Sequence, residues 1–198
     1  THPDDEDILI YPSIMKYKDS KKQPYESLMD RLSNFLKQDD SILFKSGYSW
    51  GDEHINDRMI SALKTNTTSH VVALYHDKIR NGHGRFDYGL TPESNMGRIG
   101  LENIKISVYG YRHAIIGCRY GEWVLGSEPD KDDTPHINQY FDEDAPTLSM
   151  DIGGKPGKEE WTGKGEFFLP DFSKLVSFLK SLISENEIGT IGKKNVRK

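Results

Sequence analysis

The chain has 198 residues, enough for one domain or one and a half, and its 35% hydrophobic and 29% charged residues indicate a thin apolar supply and much loop. A net charge of −5 argues against a surface that binds nucleic acid or anionic membrane all over, while leaving room for a local basic stripe. No run approaches the ~20 apolar residues needed to cross a bilayer, and a single cysteine, Cys118, excludes an internal disulfide framework and suits a reducing cytoplasm.

The opening "THPDDEDILIYPS" shows no initiator methionine and no signal-peptide pattern, and reads as a stretch from inside a longer protein. Ile8 to Tyr11, closed by Pro12, form a short unbroken apolar run, which predicts a strand buried on both faces. Pro24 then opens a helix in which Tyr25, Leu28, Met29, Leu32, Phe35 and Leu36 recur at three-and-four spacing. Ser41 to Lys45 predict a second strand, Glu53 to Lys64 a second helix with Ile55, Met59, Ile60 and Leu63 inward, and "SHVVALYHD" a third strand. The order β-α-β-α-β with short connections predicts an α/β fold whose first 77 residues are the C-terminal half of a Rossmann-like parallel sheet.

Residues 78 to 198 change character and predict an accessory region. Residues 78 to 103, rich in Gly, Asn, Arg and Pro, read as a long irregular stretch. "NIKISVYGYRHAIIGCRYGEWVLG" alternates apolar and polar residues and turns at Gly110 to Arg112, predicting an antiparallel hairpin with Trp123 on a third strand and Cys118 as a small core residue. Residues 127 to 165, acidic and glycine-rich, read as a surface loop. "LPDFSKLVSFLKSLI" predicts a helix entered at Pro170, with Phe172, Leu175, Val176, Leu179, Leu182 and Ile183 on one stripe. The basic "KKNVRK" at the C-terminus reads as a solvated tail.

The join "SGYSWGDEHIN", Ser46 to Asn56, concentrates the candidate chemistry. In an open parallel sheet, ligands sit beyond the carboxyl ends of the strands. Gly47 lets backbone approach a bound group, and the Ser49 hydroxyl can cap the next helix or bond a ligand. Asp52 is itself a candidate N-cap, and His54 falls on the first helical turn. "DEHIND" lacks the paired histidines of a zinc helix, and His70, His76 and His83 have no matching ligand set, so no metal is expected.

"ILIYPSIMKYKDSKKQPY", "SILFKSGYSWGDEHIN" and "SHVVALYHD" together resemble the C-terminal half of the catalytic domain of bacterial SIR2-like proteins, distant relatives of the sirtuins. The "IIGCRYGEWVLG" and "GKGEFFLPDFSKLVSFLKSLI" segments are similar to the region C-terminal to such domains in anti-phage defence proteins. The resemblance implies that NAD is the substrate, that Gly47 and Ser49 contact its ribose and phosphates, and that Tyr48 stands where the sirtuins carry threonine. It points to Asp52 and His54 in the same turn, and to His76 and Asp77 near adenine at the end of the third strand. It implies NAD glycohydrolase activity in abortive infection, a homo-oligomer, and a DNA-translocating ATPase as a possible partner. The family's catalytic Asn and His precede the residues present, so no catalytic residue is assigned. The competing readings are a non-catalytic assembly module and an NAD or ADP-ribose sensor, with direct nucleic-acid binding not expected.

Overall fold

The computed structural model describes residues 25–130, 139–150 and 156–182, and the expected strand at Ile8 to Tyr11 lies outside them. The elements in chain order are α1 (Tyr25–Leu36), β1 (Ile42–Ser46), α2 (Glu53–Thr65), β2 (His70–Leu74), β3 (Lys78–Arg80), β4 (Phe86–Tyr88), α3 (Asn95–Glu102), β5 (Ile106–Tyr109), β6 (His113–Ile116), β7 (Arg119–Glu122), β8 (Phe141–Glu143), β9 (Thr147–Met150), β10 (Pro156–Glu160) and β11 (Gly165–Phe167). A fourth helix, α4, covers residues 172–182. The fold is mixed α/β, around a five-stranded sheet of order β1-β2-β5-β6-β7.

Contacts divide the chain into two units. Among the described residues, one holds Tyr25–Leu43 and Trp50–His70, and the other holds Phe44–Ser49 and those from Val71 onward. In the first unit, α1 and α2 bury Leu36, Met59, Ala62 and Leu63. The Asn66 side-chain amide donates to the Leu36 carbonyl at the C-terminus of α1 at 3.1 Å and to the Gln38 carbonyl just beyond it at 2.6 Å.

In the second unit, β2 reads as it does because both of its faces are covered: Val71, Val72, Ala73 and Leu74 are all buried. Val72 and Leu74 pack with Leu175 of α4. On the other face α3 lies close enough that a β-carbon on Gly100 would meet Val108 and Ile115 at 3.0 Å. β2 and β5 are parallel, pairing Val71 with Ile106 through Leu74 with Tyr109, and β5-β6-β7 continue antiparallel. The parallel part therefore extends beyond the third expected strand.

Four expectations are corrected. Residues 78–103 are not one irregular stretch, because they contain the β3–β4 hairpin and α3. The signal was hidden by Gly97 and Gly100, which look like helix breakers but serve close approach: a β-carbon on Gly97 would sit 1.8 Å from the Thr91 carbonyl oxygen. Residues 127–165 are not a plain loop, since β8, β9 and β10 fall within them, and β8 pairs with the distant β11 rather than with a local neighbour. Cys118 is not a core residue. It shares with Gly117 a two-residue turn between β6 and β7, at φ 60° and 58°, the left-handed pair of a type I′ hairpin. Finally, the stripe of α4 is only partly covered, with Leu175 buried but Phe172 68% exposed and Leu179 and Leu182 nearly half exposed, while Ile183 lies outside the described residues.

Candidate functional site

The His70 N–H donates to the Ser41 carbonyl at 2.9 Å, so β1 and β2, neighbours in the sheet, start at the same edge and run in the same direction. With β5 parallel to β2, the carboxyl ends of all three strands point the same way. The turns leaving those ends, Gly47 to Ser49, Tyr75 to Asp77 and Gly110 to Arg112, belong to the second unit.

At the end of β1, Gly47 takes φ 72°, a left-handed conformation that a glycine adopts without strain, and nothing lies within 4 Å of where its β-carbon would be. The neighbouring Ser46 hydroxyl is buried without a hydrogen-bond partner. The Lys45 ammonium lies 3.6 Å from the centroid of the Tyr48 ring, and burial pushes its pKa down to about 8. Ser49 is exposed. Sequence reasoning missed Lys45 and Ser46, because a lysine at the end of an apolar strand carries no spacing signal.

Asp52 and His54 belong to the first unit. Asp52 is the N-cap of α2, with extended backbone at φ −100° and ψ 99° and a carboxylate that accepts from the Ile55 N–H at 3.4 Å. His54 is exposed on the first turn. Trp50, at φ 58°, is buried, and the Asn56 amide donates to its carbonyl at 2.9 Å, which fixes how the chain enters the helix. The join thus splits into a glycine-hydroxyl turn in one unit and a capped helix start in the other.

At the end of β2 the two adjacent candidates differ. Asp77 is 1% exposed. Its carboxylate accepts from the Leu90 N–H at 3.0 Å and the Tyr111 N–H at 2.9 Å, and its carbonyl accepts from Gly89 at 2.8 Å. Asp77 therefore clamps the β4–α3 connection and the β5–β6 turn to the end of β2. His76 is exposed, with its ring edge-to-face on Tyr111 at 5.2 Å between centroids. Tyr111 is pushed up to about 12, first by burial and then by the negative charges of Asp171, Asp77 and Glu166.

Beside Tyr111 lies a half-buried charge network. Glu166 accepts from Lys78 at 2.5 Å and from the Tyr88 hydroxyl, and the Arg112 guanidinium is 3.8 Å away. Arg112 also binds Asp144 through both of its terminal nitrogens at 2.6 and 2.7 Å, a fork-to-carboxylate geometry. That pairing holds Asp144 below the usual carboxylate range and Arg112 above its own. Among the described residues, no three His, Cys, Asp or Glu side chains converge as metal ligands. No helix among them is long and apolar enough to cross a membrane.

A scan against protein-family models finds no match to this chain, and a search of curated proteins finds none either.

Proposed function

We propose that the chain is part of a sirtuin-related NAD glycohydrolase and supplies the adenosine and phosphate side of the cleft, with a Rossmann-like arrangement of its parallel strands. The observation that carries this reading is Gly47: it is left-handed, it opens a turn at the carboxyl end of β1, and it has open space where a side chain would be. A sugar-phosphate group needs such a place to approach backbone N–H groups, and the buried Ser46 hydroxyl and the Lys45 ammonium add a donor and a cation beside it. Ser49 and His76 are exposed at the same edge of the sheet, where they can meet ribose and adenine. Asp77 supports this edge as a clamp. NAD depletion would serve abortive infection, with activity withheld until the protein assembles with copies of itself or with a DNA-translocating ATPase.

The test is binding of ADP-ribose and NAD by calorimetry to the full-length enzyme carrying the wild-type sequence, Gly47→Asn, Gly47→Val or Ser49→Ala. Asparagine tolerates the left-handed conformation, so its loss of binding would come from bulk rather than from strain. Binding lost in the Gly47 variants and weakened in Ser49→Ala supports the reading. Equal binding in all of them, or no binding by wild type, sinks it. A binding-only sensor is distinguished by measuring nicotinamide release from NAD by the assembled enzyme.

A further inference from the structure

We propose that the β3–β4 hairpin is a docking surface for single-stranded nucleic acid, a reading independent of the NAD proposal. On a chain of net charge −5, Lys78 to Tyr88 carries three permanent cations, Lys78, Arg80 and Arg85, against one carboxylate, Asp87. The pairing register sets Lys78 opposite Tyr88, Ile79 opposite Asp87 and Arg80 opposite Phe86. Side chains alternate along a strand, so one face of the ribbon carries Lys78, Arg80, Phe86 and Tyr88, cation facing aromatic ring at both pairs.

The contacts bear this out at the inner end of the hairpin. The Lys78 ammonium is 4.4 Å from the Phe86 centroid, and the Arg112 guanidinium is 5.6 Å from that of Tyr88. The acids that balance this face, Glu166 and Asp144, bind Lys78 and Arg112. Positive charge is thus concentrated toward the tip, where Arg80, His83, Arg85 and Phe86 are exposed, Phe86 by 48%. The tip is also set in shape: the Asn81 side-chain oxygen accepts from the His83 and Arg85 N–H groups at 3.1 and 2.9 Å, and Gly84 turns the chain at φ 76°.

Arg80 lies on the same ribbon face as the half-exposed Phe86 ring, while Arg85, by the same alternation, lies on the opposite face. A strand wrapping the narrow tip can therefore lay an unstacked base on the ring and meet an arginine with its phosphates on each side. A duplex presents no such base. An acidic peptide would use the cations and leave Phe86 without a role. The local arrangement matters here more than the net charge of the chain, since a polyanion responds to the field of the patch that it meets.

The test is fluorescence anisotropy of a labelled oligothymidine of about twenty nucleotides, over a range of about 50 to 200 mM salt. Wild type should bind with log affinity falling linearly in log salt. The double variant Arg80→Gln/Arg85→Gln should weaken binding roughly tenfold or more and flatten the salt slope by about 1.4, the loss of two single-strand phosphate contacts. Phe86→Ala should weaken it about tenfold with the slope unchanged, because stacking releases no counterions. Arg119→Ala, which removes an exposed cation on β7, should change neither quantity. Absence of wild-type binding at the lowest salt overturns the proposal, as does a double variant with the wild-type slope. Capture of a polyglutamate peptide without the oligonucleotide also overturns it and assigns the hairpin to an acidic protein surface.

Discussion

Asp77 and Gly110 are in such close contact that a β-carbon on Gly110 would lie 2.9 Å from one Asp77 carboxylate oxygen and 3.0 Å from the other. The carboxylate fills the space that a side chain at position 110 would need, and from there it accepts the Leu90 and Tyr111 N–H groups. Replacing Asp77 with Ala would leave two buried donors without partners, at a cost of about 2–4 kcal/mol. A chain of this size loses roughly 2–4 °C of Tm per kcal/mol, so thermal unfolding of Asp77→Ala should fall by roughly 5–15 °C. Gly110→Ala should also destabilise, through overpacking, by about 1–3 kcal/mol. A wild-type Tm in either variant would remove Asp77 from its clamp role.

The Arg112–Asp144 pair sets an acid dependence. Arg112 holds the Asp144 carboxyl below its ordinary value, so the folded state binds that proton more weakly than the unfolded chain does. The resulting stabilisation is present above the unfolded carboxyl value near 3.8 and is lost as pH falls through the lower folded value. In urea unfolding, wild type should therefore exceed Asp144→Asn in stability at neutral pH, and the gap should close as pH drops below about 4. A gap that is constant with pH would show that the carboxylate charge is not what Arg112 recognises.

Lys45 should titrate with a midpoint of about 8, well below the 10.5 of an ordinary lysine, because burial disfavours its charged form. NMR of carbon-labelled lysine side chains reads this midpoint directly. The sign follows from proton counting: between about 8 and 10.5 the unfolded chain holds the proton that the folded state has released, so stability rises with pH across that window. Lys45→Met should remove that rise. A midpoint near 10.5 would remove the burial argument.

Cys118 gives a prediction of opposite sign to the one a core position would give. Truncating a core residue to glycine lowers stability, but at φ 60° in a two-residue turn the side chain is a backbone strain, and Cys118→Gly should relieve it. Relief of roughly 1–2 kcal/mol of left-handed strain outweighs the roughly 0.4–1 kcal/mol that glycine costs through the unfolded chain, for an expected net gain of about 0.5–1 kcal/mol in chemical denaturation. A loss of more than that would place the thiol in a packed environment after all.

The parts of the fold that could be read from the residues are those with local causes. α1, β1, α2, β2 and the β5–β6 hairpin arise from periodicity, turn residues and caps that lie within a few positions of one another. What escaped depends on distant partners. β8 exists because β11 pairs with it, and α3 tolerates two glycines because the Thr91 carbonyl and the Ile115 side chain need the space. At the candidate site, Gly47 and the capping role open to Asp52 were legible from the turn pattern. The buried state of Asp77 was not, because it depends on Leu90 and Tyr111, which lie on two later connections. Lys45 and the β3–β4 hairpin carry no local signal for a related reason: neither a lone strand-end lysine nor a glycine-rich turn acquires meaning until its neighbours in space are known.

Glu166 lies on β11, near the end of the described chain, yet the cations and hydroxyl that surround it, Lys78, Tyr88 and Arg112, are made much earlier during synthesis. On the ribosome the two cations and the hydroxyl must wait for this carboxylate until Gly165–Phe167 emerges and zips onto Phe141–Glu143. Completion of this polar centre therefore waits for β11, and a nascent chain stalled before Gly165 would leave Lys78 without the carboxylate that it meets in the finished unit.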